Sequence, residues 1–148
     1  GLLQASEDAV LNANYIMAQL QDLFSLPFPG PCMHEVLFDD SFLKDSGVTT
    51  LDFAKAMIDE GFHPMTMYFP LVVSGAMLIE PTESESKASL DQFIASMRHL
   101  GERAVSGDAE FFAGAPYLAP YRRLDETQAA RKPVLRWHGG AGEAEAAE

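Results

Sequence analysis

From the amino end, apolar residues fall at Leu3, Val10, Ala13, Met17, Leu20 and Phe24. That spacing of three or four builds one stripe along a helix. Pro27, Pro29, Gly30 and Pro31 then bar its continuation. Cys32 to Phe38 has the length and bulk of a strand, whose alternation sets Cys32, His34 and Val36 opposite Met33, Glu35 and Leu37. Thr49 with Asp52 three residues on reads as a capping box. Behind it Leu51, Ala54 and Ile58, flanked by Phe53 and Met57, form a second amphipathic helix. Gly61 suits a left-handed helix end, and His63-Pro64 forbids continuation. Two short strands follow at about Thr66–Phe69 and Ala76–Glu80. Thr82 and Glu85 offer a second capping box, ahead of a helix with Leu90, Phe93, Ile94, Met97, Leu100 and Ala104 on one face. The order α-β-α-β-β-α is most economically buried as an α+β fold, a small sheet with helices packed on one side.

Beyond Gly107 the pattern dissolves. Phe111, Phe112, Tyr117 and Tyr121 sit among Gly and Pro, ahead of Arg122-Arg123 and the segment Arg131 to Trp137. Residues 1–110 therefore read as one domain, 111–138 as an extended interface tail, and 139–148, built only from Gly, Ala and Glu, as a tail that cannot offset its ordering entropy. The 148 residues carry 22 acidic against 10 basic side chains, a formal net charge of −12. That balance argues against nucleic-acid and anionic-membrane partners, both of which require clustered Lys and Arg. A single cysteine allows no internal disulfide. The longest apolar run, Met65 to Ile79, is interrupted by Pro70, Ser74 and Gly75 and is too short for a membrane span. Gly1 to Asp8 has no basic residue, so no secretory signal is read there. The start at Gly1, already within helical periodicity, is what a processed or excised chain shows, and the expected location is the cytoplasm.

The candidate chemistry is sparse. Cys32, His34, Glu35 and His63 are metal-ligand types, but strand alternation separates Glu35 from His34, so no metal site is expected. Cys32 and His34 share a face, yet two residues along a strand stand roughly 7 Å apart, too far for a nucleophile–base pair. Ser74-Gly75 lacks the flanking glycine of a nucleophile elbow, and no phosphate-cradling glycine loop occurs. Glu83 and Glu85 suit a helix start, where carboxylates complement the dipole. Glu80 closes a buried run and needs a partner; His63 is either held by a main-chain carbonyl or faces a cleft. Arg122-Arg123 either clamps an anion or pairs with this acidic body.

Several ordered motifs together resemble the C-terminal part of the glycine cleavage system P protein, glycine dehydrogenase (decarboxylating), in its second-subunit form. They are Val10-Leu11-Asn12-Ala13-Asn14-Tyr15, Gly30-Pro31-Cys32-Met33-His34-Glu35 and Thr50-Leu51-Asp52-Phe53-Ala54-Lys55, then Gly61-Phe62-His63-Pro64 and Tyr68-Phe69-Pro70-Leu71. Ile79-Glu80-Pro81-Thr82-Glu83-Ser84-Glu85 and the tail motifs Ala115-Pro116-Tyr117 and Arg122-Arg123-Leu124-Asp125-Glu126 complete the match. The resemblance implies the small C-terminal domain of a fold-type I pyridoxal-phosphate enzyme. It implies glycine as substrate, and as partners a large domain of its own, a first P-protein subunit and the lipoylated H protein. The family's cofactor lysine follows a histidine, and no His-Lys pair exists here, so no catalytic residue is expected in this chain and pyridoxal phosphate would be anchored outside it. The cleft-facing candidates are His34, His63, Glu80, Thr82 and Glu83, with the two histidines at the rim and Thr82-Glu83 at a helix cap. The competing expectations are a freestanding α+β module that binds a small ligand or regulates an enzyme, and a pure subunit-interface element.

Overall fold

The three predicted helices form where their stripes fall, and the computed structural model, which describes residues 1–136, shows which side of each stripe is buried. Helix α1 spans Leu2–Leu20 and buries Ala13, Ile16 and Leu20, with Phe24 completing the row just beyond its end. Leu3, expected in that row, is exposed, and Met17 yields its place to Ile16. Helix α2, Thr50–Asp59, begins with the predicted box: the Thr49 hydroxyl accepts the Asp52 N–H and the Asp52 carboxylate accepts the Thr49 N–H. Its interior face is Thr50, Phe53, Ala54 and Met57, while Leu51 is half-buried and Ile58 exposed. Gly61, at φ +85, ends the helix as expected. Helix α3, Lys87–Val105, buries Leu90, Ile94, Met97, Leu100 and Ala104.

The sheet has three antiparallel strands, β1 (Val36–Phe38), β2 (Thr66–Met67) and β3 (Met77–Ile79), in the order β1-β3-β2. Val36 pairs with Ile79 and Phe38 with Met77, so four buried side chains share the core face, while Leu37 and Leu78 on the other face are half-buried. The result is a small α+β domain with the predicted element order. Only the last three residues of the expected Cys32–Phe38 strand pair in the sheet. Upstream, the Cys32 N–H and carbonyl are taken by the Asn14 side chain of α1, at 3.0 and 2.7 Å, which removes them from any ladder. At the other end of the sheet, Gly75 has φ +54 and lies so close to Asp40 that a Cβ would stand 2.1 Å from its Cγ. There its carbonyl accepts the buried Thr50 hydroxyl at 2.7 Å.

The C-terminal stretch is less extended than its composition predicts. A short 3-10 turn, Asp40–Leu43, precedes α2, and helices α4 (Ala109–Gly114) and α5 (Glu126–Arg131) follow α3. Phe112 of α4 is fully buried and stacks on Phe53 at 6.0 Å between centroids. Residues 115–131 then form a strap across α2: Asp59 accepts the N–H groups of Tyr117 and Leu118 at 2.6 and 2.8 Å, and Glu126 lies 3.6 Å from Lys55. Trp137, His138 and the Gly/Ala/Glu tail lie outside the described residues. Among the described residues no helix is long and apolar enough to cross a membrane.

Candidate functional site

Three irregular segments meet beside the sheet: the chain entering β1, the chain between α2 and β2, and the chain leaving β3. Between them lies an open cavity of about 390 Å³. Its apolar lining includes Ile16, Leu90 and the edge-to-face pair Phe62–Phe93, whose centroids are 5.4 Å apart. Its polar lining is Glu35, His63, Thr66, Glu80, Thr82, Glu85 and Ser89. Each position follows from local sequence. Gly61 turns the chain out of α2 and Pro64 keeps it from helix, leaving His63 on the connection. Pro81 ends β3, so Glu80 sits at the strand's exit.

Of the five cleft candidates, the structure brings His63, Glu80 and Thr82 to this one cavity. The His63 Nδ1–H donates to the Pro64 carbonyl at 3.1 Å, so this residue both lines the cavity and is held by main chain. Thr82 has φ +60, a strained conformation for a β-branched residue. Its hydroxyl is 2.9 Å from that of Ser84, and its carbonyl accepts the Asn12 side-chain amide at 2.9 Å. Neither Thr82 nor Glu83 caps α3. Ser86 does, accepting the Ser89 N–H at 3.1 Å, because the left-handed turn at Thr82 delays the helix to Lys87. Glu83 is exposed and outside the cavity lining.

His34 is half-exposed beside the cavity, its Nε2 3.7 Å from a Glu35 oxygen and 3.9 Å from a Glu80 oxygen. Strand alternation predicts Glu35 on the opposite side. Since residues 32–35 are not strand, the alternation does not apply, and Glu35 joins the site unanticipated. The three side chains place one possible ligand atom each within 4.8 Å of one another, which removes the geometric reason for setting a metal site aside. All three are at least partly open to solvent, and the same arrangement is that of an imidazole paired with two carboxylates, suited to holding or passing a proton. Cys32 plays no such part: burial pushes its thiol up, away from the thiolate a nucleophile requires.

A pyridoxal-phosphate anchor needs a free amine and a cradle for phosphate. Lys55 is held by Glu126, and the Lys87 ammonium lies 2.7 Å from Asp91 and over the Tyr15 ring. Lys44 and Lys132 are exposed and away from the cavity. The cavity itself carries Glu35, Glu80 and Glu85, which repel phosphate. These residues do not fit the cofactor's anchoring site. Arg122 and Arg123 are likewise committed to their own chain. Arg123 donates to the Phe112 and Ala115 carbonyls at 2.8 and 2.7 Å and meets Asp52 at 2.7 Å, and Arg122 donates to the Gly114 carbonyl at 2.6 Å.

Residues 5–109 match the family described as "Glycine dehydrogenase, C-terminal domain". The chain is 72% identical, over its whole length, to the probable glycine dehydrogenase (decarboxylating) subunit 2 of Caulobacter vibrioides. It is 51% identical over 93% of its length to the protein of the same name from Oceanobacillus iheyensis, and 50% identical, again over 93%, to that of Kosmotoga olearia. In each case it spans 28% of the relative's length.

Proposed function

The chain belongs to the glycine dehydrogenase C-terminal-domain family, and from that premise we propose that it is the small domain of a glycine dehydrogenase (decarboxylating) subunit 2, closing one side of its active-site cleft. The observation that carries this reading is the convergence of His63, Glu80 and Thr82 on one open cavity of about 390 Å³, flanked by His34. An open cavity with acid–base groups at its rim and no cofactor anchor of its own is half of a site, and the domain preceding it in the full-length subunit supplies the other half. In this reading the fold is the small domain of a fold-type I pyridoxal-phosphate enzyme, and the cofactor lysine lies outside this chain. The full enzyme acts in the cytoplasm, decarboxylating glycine and passing the aminomethyl group to the lipoyl arm of H protein, with a first P-protein subunit as partner. The chain alone is inactive.

What these residues contribute is placement of charge and protons. The carboxylates of Glu35, Glu80 and Glu85 favour a cationic group such as a substrate ammonium, and the apolar wall of Phe62 and Phe93 limits water beside them. The test is glycine turnover by full-length subunit 2 assembled with its partner subunit. His63→Ala and Glu80→Gln each lower kcat roughly 100- to 1,000-fold, the range of a lost acid–base or electrostatic group, with thermal stability little changed. Unchanged turnover in both variants would remove this cavity from the active site.

A further inference from the structure

We propose that Asn12 and Asn14 of α1 are positioning residues that bracket the cavity, each holding one of the two loops that carry its ionisable groups; the proposal rests on the reading of this cavity as part of the glycine cleft. The Asn12 Nδ2 donates to the Thr82 carbonyl at 2.9 Å and reaches the Glu85 carbonyl at 3.4 Å. The Asn14 Nδ2 donates to the Cys32 carbonyl at 2.7 Å and to the Val10 carbonyl of its own helix at 2.8 Å, while its Oδ1 accepts the Cys32 N–H at 3.0 Å. Residues two apart on a helix point about 200° away from each other, so one short run of α1 serves loops on opposite sides of its axis. Ala13, between the two, is fully buried.

The loops depend on these amides. Outside helices and sheet ladder, no main-chain-to-main-chain hydrogen bond reaches residues 30–35 or 80–85 among the described residues. One loop carries His34 and Glu35, the other Glu80, Thr82 and Glu85, and the 3.9 Å approach of His34 to Glu80 is made from one loop to the other. The Val36–Ile79 pair holds the roots of both loops, and the two amides fix the stretches beyond it, so the approach depends on both. An amide suits this role because it supplies both a donor and an acceptor and adds no charge beside the carboxylates. The same run gives its next residue, Tyr15, to α3 through a 2.6 Å hydrogen bond to Asp91, which anchors the bracket to the rest of the domain.

Asn→Asp keeps the shape but replaces the amide donor with a charged, acceptor-only carboxylate, so Asn12→Gln, neutral and still a donor, is its control. In full-length subunit 2 assembled with its partner, Asn12→Asp and Asn14→Asp should each lower kcat for glycine about tenfold, as expected when reacting groups are misplaced by about an ångström or less. The pH profile of kcat should change shape, because the His34–Glu80 approach loosens. Hydrogen exchange should accelerate at residues 80–86 in the first variant and 30–35 in the second, with α3 unaffected. Asn12→Gln, which keeps the donor, should recover part of the lost turnover. If Asn14→Asp fails to assemble, Asn12→Asp and Asn12→Gln decide the matter alone. Unchanged turnover and pH profile in the Asn→Asp variants, where His63→Ala and Glu80→Gln do lower turnover, would overturn the positioning role and leave the site reading standing, whether or not exchange accelerates. If His63→Ala and Glu80→Gln also leave turnover unchanged, the site reading itself fails and the positioning role with it.

Discussion

The cavity loops and the C-terminal strap both lie against helices, yet they are fastened by different chemistry. The loops hang on the neutral amides of Asn12 and Asn14. The strap is fastened by charge: Asp59 takes two of its N–H groups, Arg122 and Arg123 take three carbonyls, and Arg123 closes on Asp52. The strap also has an apolar root in Phe112, whereas the loops around His34 and Thr82 bury little of their own. A charged fastening serves where no chemistry is done, but beside a cavity that holds ionisable groups it would compete with them. The neutral bracket adds no charge beside His34, Glu35 and Glu80.

The strap should break most severely at its root. Phe112→Ala removes a ring that packs on both Phe53 and Phe111, and should cost about 3–5 kcal/mol in urea denaturation of this chain. A loss below about 1 kcal/mol would mean that the strap is not rooted in the core. Arg123→Ala comes next. It leaves two main-chain carbonyls and Asp52 without their partner, and since the arginine is about one-third exposed the cost should be about 1–2 kcal/mol by the same measurement.

The smallest effect is a pH dependence carried by Asp52. Burial raises its carboxyl, but hydrogen bonds from the Thr49 hydroxyl and amide, and from Arg123, outweigh burial and hold it below the usual range. A folded value below the unfolded one means stability that is present above the unfolded value near 4, and lost as pH falls through the folded value. Stability should therefore decline below about pH 4, less steeply in Arg123→Ala, where the Thr49 bonds alone remain. Equal slopes in the two proteins would show that Arg123 does not contribute to lowering Asp52.

The same contrast explains what the sequence made legible. Helix stripes, the Thr49–Asp52 box and the Gly61 terminus depend on residues within a turn or two of each other, so local pattern revealed them. Three of the five cleft candidates, His63, Glu80 and Thr82, were accessible for a similar reason: each sits at an interruption made by Pro or Gly next to an apolar element. Glu35 was hidden because residues 32–35 have strand composition, and only a side chain 18 residues upstream diverts their backbone. The Thr82–Glu85 box had a local rival in Ser86, and the left-handed turn at Thr82 decided between them. Phe112 was hidden by its surroundings, since Gly and Pro on either side suggest surface while one helical turn suffices to seat the ring in the core. The Asn12–Asn14 bracket lay within a motif that marked the family but carried no local sign of its targets, 18 and 70 residues away.

On the proposed function, this domain completes the glycine site from one side. A structure of full-length subunit 2 with its partner subunit and bound pyridoxal phosphate tests it most directly. The cavity between His63, Glu80 and Thr82 should open toward the cofactor, with His34 at its edge. A cavity opening to bulk solvent on the face away from the cofactor would contradict it.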